Sequence, residues 1–292
     1  MLSPELVKKI RRIHIKSART VNTIMAGQYK SVFRGAGIEF EEVREYSPGD
    51  DVKNIDWKVS ARLGRPYIKL YQEERELVVM LLVDMSGSCG FGTTTSLKQE
   101  TAAEVAAIIA FNAIKNNDKV GAILFSDHVE KYIPPKKGSL HIWRVIKEFF
   151  TFRPTHKTTD IQSAISYLAK VSRKRTITFL ISDFLSPDYL CQLKIASKRH
   201  EIISILISDP GEFRLPEHGI VSLTDIETGK QLLLDASDKQ TGRNFKKLKN
   251  KEYSNTLEVL KTADVDCIEI STADSVADAL IKYFRYREKI SS

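Results

Sequence analysis

The chain has 292 residues, with 45 Lys and Arg against 37 Asp and Glu, a formal net charge of +8. At 42% apolar and 28% charged residues it can bury a real core, which excludes general disorder. No apolar run approaches the ~20 residues of a membrane-spanning helix, and the three distant cysteines, Cys89, Cys191 and Cys267, make neither a disulfide framework nor a zinc site.

The basic N-terminus lacks the continuous apolar core of a signal peptide, so a cytoplasmic globular protein is expected. Leu6, Ile10, Ile13 and Ser17 recur at spacings of three and four, with Lys8, Lys9, Arg11, Arg12, Lys16 and Arg19 on the other faces. This predicts a basic amphipathic helix in the first thirty residues, started by Ser3 and Pro4. Without Trp or Phe on its apolar side, it reads as a helix packed on its own domain rather than a membrane anchor, although peripheral membrane contact stays open.

Residues 27–76 have another texture. Glycines and prolines punctuate short extended pieces; IEFEEVREY and RPYIKLYQEE alternate as half-buried strands do, and SPGDD is a turn. A small β-rich segment is expected, in which Arg44, Asp50, Asp51, Asp56 and Arg62 form either a charged network with Trp57 as its buried anchor or a recognition surface for a partner.

From residue 77 the pattern becomes strand, helix, strand, helix. LVVMLLVD, KVGAILFS, TITFLISD and EIISILISD are apolar runs of buried-strand length. HVEKYIPP pairs beside the second as a hairpin. Helices are predicted at SLKQETAAEVAAIIAFNAIK, LHIWRVIKEFF, DIQSAISYLAKVS and PDYLCQLKIASKR. GIVSLTDIETGKQLLLD reads as a hairpin, followed by a helix over roughly 239–262, the strand VDCIEIS and a last helix from Asp274 to about Tyr286. This alternation predicts a doubly wound, mostly parallel α/β sheet with helices on both faces over 77–292, preceded by a 1–76 appendage of helix and β-rich segment.

Three features carry chemistry. The first buried strand runs into Asp84-Met85-Ser86-Gly87-Ser88; Thr158-Thr159-Asp160 opens a predicted helix; the strand TITFLISD ends at Asp183. Open α/β sheets bind ligands at the carboxyl ends of their strands. Hydroxyls and carboxylates without His suit Mg²⁺, Mn²⁺ or Ca²⁺ rather than zinc or copper. As helix cap or turn residues, each of these groups also has an ordinary structural role.

The constellation resembles the metal-ion-dependent adhesion site of von Willebrand factor A domains. That resemblance implies Asp84, Ser86 and Ser88 in the first loop, Thr159 in the second and Asp183 in the third, around one divalent cation. Thr159 is preferred over Thr158 because it precedes Asp160; Lys157 and Thr158 stand where the family's second loop has glycines. Upstream, Gly35-Ala36-Gly37-Ile38-Glu39-Phe40, Arg44-Glu45-Tyr46-Ser47-Pro48-Gly49-Asp50-Asp51, Ile55-Asp56-Trp57, Ser60-Ala61-Arg62 and Glu74-Arg75 resemble the signature of the domain of unknown function 58 family. Cys89 departs from the Met common after the second Ser and puts a thiol beside the metal. The resemblance implies a von Willebrand A-like, Rossmann-like fold and a non-enzymatic, metal-dependent interaction module. It implies partnership with a MoxR-type AAA+ ATPase in chaperone-like maturation or assembly of a client protein.

Two alternatives compete. Strand-end aspartates with Mg²⁺ also describe phosphoryl-transfer hydrolases, but Ser86 stands where such an enzyme needs a second Asp, and no phosphate loop or G-x-S-x-G elbow is present. Of six histidines only His156 lies near a site loop, and it reads as an exposed loop residue. The cations Lys239, Arg243, Lys246, Lys247, Lys249 and Lys251 offer a nucleic-acid or membrane surface, but one aromatic, Phe245, without interleaved stacking residues favours a solvated helix face.

Overall fold

The computed structural model describes residues 39–72, 77–216, 218–224 and 229–291. The helix expected in the first thirty residues, Gly35–Ile38 and Glu73–Arg75 lie outside them. The chain divides into two compact units, one ending at Leu77 and one running on from Val78.

In the smaller unit β1 (Glu39–Glu45) pairs antiparallel with β2 (Tyr67–Gln72), with a bulge between Phe40 and Glu42. Between them lie a single 3-10 turn, Val52–Asn54, and a helix, α1 (Trp57–Leu63). The helix is an addition to the β-rich segment that the sequence leads one to expect. Seven residues are too few to show a helical period, and its caps define it. Asp56 accepts the N–H groups of Lys58 and Val59 at 2.9 and 3.2 Å, and Gly64 closes the helix at φ +70°, a conformation that favours glycine.

The charged network contracts to one fork and local caps. Arg44 clasps Asp50 with two bonds of 2.9 and 2.7 Å, tying β1 to the following turn. Asp51 caps the 3-10 turn through Lys53, and Arg62 is exposed. Trp57 is no buried anchor: it is 69% exposed. A unit with a two-stranded sheet has too little interior to enclose an indole. Ser60 and Ile68 are buried instead, and the Ser60 hydroxyl accepts the Tyr67 N–H at 2.8 Å.

The larger unit runs β3 (Val78–Asp84), α2 (Lys98–Lys115), β4 (Lys119–Phe125), β5 (Val129–Lys136), α3 (Ser139–Thr151), α4 (Ile161–Val171), β6 (Ile177–Ser182), α5 (Leu190–Ser197) and β7 (Glu201–Ser208). After a hairpin, β8 (Ile220–Thr224) and β9 (Gln231–Asp235), come α6 (Lys239–Thr262), β10 (Asp266–Ser271) and α7 (Val276–Ser291). The last helix extends past the expected Tyr286. The central sheet has the order β10-β7-β6-β3-β4-β5, parallel except for β5.

Met80 and Leu82 of β3 join Ile123, Leu180 and Leu206 in a core closed by Ile161, Leu168, Leu193 and Leu260 from α4, α5 and α6. The alternate residues Val79, Leu81 and Val83 are equally buried, so both faces of the sheet are covered. That double burial is why these strands read as unbroken apolar runs. The chain lays down β3, β4 and β5 to one side, then returns for β6, β7 and β10 on the other. Strand order therefore reverses between β3 and β6, and a crevice opens at their carboxyl ends.

Candidate metal centre

Asp84 ends β3 and Asp183 follows β6, so both carboxylates arrive at this crevice, and both are buried. Asp84 accepts the Ser182 hydroxyl on Oδ2 at 2.5 Å and the Ser86 N–H on Oδ1 at 2.9 Å. The turn Gly87–Gly90 brings the buried hydroxyls of Ser86 and Ser88 to 3.2 Å of each other. After Asp183 the chain reverses through Phe184, which has φ +58°. That conformation is strained for a bulky residue; the buried ring and a 2.9 Å bond from its N–H to the Ser182 hydroxyl hold it.

The second loop is tied to the first. The Gly87 N–H donates to the Lys157 carbonyl at 2.7 Å, and the Asp160 N–H to the Ser126 carbonyl at 2.8 Å. Thr159 is buried in this loop, whereas the Thr158 hydroxyl turns to Asp127 at 3.0 Å. Ligand atoms of Asp84, Asp183 and Cys89 all lie within 4.8 Å of one another. The thiol adjoins the carboxylates, as its position after Ser88 suggested.

Three residues of this edge escape sequence reasoning. Lys98, the first residue of α2, is 1% exposed, and its Nζ lies 2.6 Å from both Asp183 Oδ2 and Glu212 Oε1. Glu212 also accepts the Asp209 N–H at 2.9 Å. Asp209 follows β7, accepts the N–H groups of Thr93 and Gly211 at 3.0 and 2.8 Å, and takes the hydroxyls of Thr93 and Thr272. A signal for Asp209 existed: Ser208-Asp209 repeats the strand-end Ser182-Asp183 pair. Nothing in the sequence distinguishes Lys98 from the solvated lysines of other helices.

Electrostatics follow from this packing. Burial opposes the charge on Lys98, but Asp183 and Glu212 outweigh it and raise its pKa. Burial, then the charge of Asp183, pushes the Asp84 carboxyl well above the usual carboxylate range. When ionised, Asp84, Asp183 and Glu212 around the Lys98 ammonium leave two uncompensated negative charges. Burial, with Asp84 and Asp183 beside it, also raises the Cys89 thiol. Buried hard oxygens, with an ionised excess of negative charge that a cation would favour, fit a divalent ion of the Mg²⁺, Mn²⁺ or Ca²⁺ class. An open cleft of about 680 Å³ adjoins the site, walled by Ser88, Phe91, Lys98, Leu185, Leu232 and Phe245.

The competing surfaces look ordinary. Arg243, Lys246, Lys247 and Lys251 of α6 are exposed, and Lys249 pairs with Glu252 at 2.8 Å. Among the described residues no helix is long and apolar enough to cross a membrane.

Sheet order, antiparallel edge strand and strand-end carboxylates together define a von Willebrand A-like α/β domain. The chain belongs to the family described as "Protein of unknown function DUF58", whose model matches residues 42–255. It is 32% identical over 229 residues to the uncharacterized protein Rv1480 of Mycobacterium tuberculosis, covering 77% of this chain and 72% of that one. Among solved structures it is similar to BatB from Bacteroides thetaiotaomicron, at a TM-score of 0.50 and 16% identity, over 73% of this chain and 99% of that one. An aerotolerance-related membrane protein from Bacteroides fragilis gives a TM-score of 0.51 with the same identity and coverage. At such identity these likenesses bear on the fold alone.

Proposed function

We propose that this protein is a non-enzymatic, divalent-metal-dependent interaction module that acts in the cytoplasm. Asp84, Ser86, Ser88, Thr159 and Asp183 would hold Mg²⁺, directly or through water, and a carboxylate from a partner protein would complete its coordination. The cation supplies an electrophilic anchor for that acidic group. The chain's own residues bury the anchor, hold its carboxylates apart from bulk water and offer an adjoining cleft for the partner's flanking side chains. The observation that carries the reading is the meeting of two buried carboxylates, Asp84 and Asp183, at the point where strand order reverses. The family resemblance points to a MoxR-type AAA+ ATPase as partner, in chaperone-like maturation or assembly of a client.

The test is a pull-down of the ATPase in Mg²⁺ and in chelator, with wild type and Asp84→Ala in parallel. Retention should fall at least about tenfold in chelator and in the variant, as expected when a coordinating group is lost. Retention unchanged by both treatments rejects the reading. So does phosphoester turnover that disappears in Asp84→Asn, which makes the site hydrolytic instead.

A further inference from the structure

A second constellation lies outside the strand-end crevice. Asp127 and His128 sit in the turn between β4 and β5, and His156 arrives from the loop before α4. The His128 Nδ1 lies 2.6 Å from Asp127 Oδ1, and the His156 Nδ1 lies 2.8 Å from Asp127 Oδ2. The two imidazoles meet edge to face, with ring centres 4.7 Å apart. Ligand atoms of the three residues lie within 4.8 Å of one another.

A buried carboxylate holds this arrangement in place. Glu130, on β5, has a side chain only 3% exposed. It accepts the Ser126 hydroxyl at 2.8 Å, the Thr155 N–H at 2.8 Å and the His156 N–H at 3.3 Å. Its other oxygen lies 3.6 Å from the His128 Nε2. The backbone that carries His156 is thus fixed beside the turn that carries His128, although the two segments are far apart in the chain. Such outer contacts orient ligands before any ion arrives.

We propose that Asp127, His128 and His156 form a site for a borderline transition-metal ion of the Zn²⁺ class. Two imidazoles and a carboxylate are the donor set that such ions prefer and that Mg²⁺ does not. Bonds of about 2.0–2.2 Å in a tetrahedron set ligand atoms about 3.3–3.5 Å apart. The observed 2.6 and 2.8 Å contacts must therefore open by less than 1 Å, which the two exposed imidazoles beside the half-buried Asp127 can do. Coordination needs a free nitrogen on each neutral imidazole and an ionised carboxylate, so any imidazolium must give up its proton to solvent and binding strengthens as pH rises. Three protein ligands leave the fourth position to water. An ion there ties the loop leading to Thr159 to the β4–β5 turn. The site differs from the strand-end crevice in chemistry and in residues, and it stands or falls separately from the function proposed above.

The experiment uses the full chain, stripped of metal by chelator, titrated with Co²⁺ as a spectroscopic probe and with Zn²⁺ by calorimetry. Wild type is compared with His128→Gln, His156→Gln and Asp84→Ala. Both histidines are at the surface, so circular dichroism of the histidine variants should match wild type. The expected result is the intense visible absorption of tetrahedral Co²⁺, without a thiolate-to-cobalt band, displaced by Zn²⁺ and untouched by excess Mg²⁺. Affinity should fall at least about tenfold in each histidine variant and stay within twofold in Asp84→Ala. No Co²⁺ or Zn²⁺ binding overturns the proposal. Binding that both histidine variants retain, or that carries the thiolate band of a Cys89 complex, overturns it as well.

Discussion

Lys98 shows how much one side chain can decide. A lysine is almost never fully buried unless paired, and this one is clamped at 2.6 Å by two carboxylates. Removing one partner of a buried ion pair leaves an uncompensated charge and costs about 3–5 kcal/mol. Lys98→Gln is therefore expected to lower unfolding free energy by about that much, read from urea denaturation. A loss of only a few tenths would mean that the pair is solvated. His200 supplies the opposite case, a titratable group buried without charge. Its Nδ1 meets the Thr176 hydroxyl at 2.9 Å, its buried Nε2 has no hydrogen-bond partner among the described residues, and burial, then Arg199, lowers its pKa. The folded state resists a proton that the unfolded chain accepts below its ordinary value of 6.5. Stability should thus fall as pH drops through 6.5, until the lowered folded value is reached. Over that span the wild type should lose up to about 1.4 kcal/mol per pH unit more than His200→Gln. Parallel pH profiles of the two proteins would refute this.

At the level of elements, ends matter more than middles. The helix α4 begins at Asp160, whose carboxylate accepts the Ser163 N–H at 3.3 Å while the Ser163 hydroxyl donates to the Asp160 carbonyl at 2.8 Å. Asp160→Ala should cost about 1 kcal/mol, and Asp160→Asn much less, because both Asp and Asn cap well. Equal losses in chemical denaturation would show that charge, not capping, is at work. The same dependence on ends explains what the sequence hides. A helix as long as α6 shows its period and its bounds, and 239–262 is legible from the pattern. The helix α1 has one cap, one glycine and seven residues, and it disappears among the glycines and prolines around it.

For the whole molecule, the decisive feature is that β3 and β6 are neighbours in space while α2, two strands and two more helices separate them in the chain. A cation bound there would hold together the ends of both strands and the loop before α4. Ligand that binds only the folded state stabilises it by about 2.7 kcal/mol at a hundred times its dissociation constant. Saturating Mg²⁺ should accordingly raise the unfolding free energy of wild type and leave Asp84→Ala unchanged. A wild type indifferent to Mg²⁺, Mn²⁺ and Ca²⁺ would remove the metal from the proposed function.

Local properties were open to reading from the sequence alone. Continuous apolar runs revealed the doubly covered strands, because burial on both faces abolishes alternation. Strand-end positions marked Asp84 and Asp183, and the hydroxyls of Ser86, Ser88 and Thr159 stood in loops that could reach them. The exposure of Trp57 is not legible locally, because burial of an indole depends on how much interior a small unit possesses. The role of Lys98 is invisible in its neighbourhood because its partners lie 85 and 114 residues away. The sequence by itself determined the order of elements and which acids and hydroxyls end at strand tips, since period and punctuation are properties of neighbouring residues. Only the tertiary structure decided which of them meet: Lys98 with Asp183 and Glu212, Cys89 with two carboxylates, His128 with His156. Those encounters are products of strand order, and strand order is set by the packing of the whole sheet.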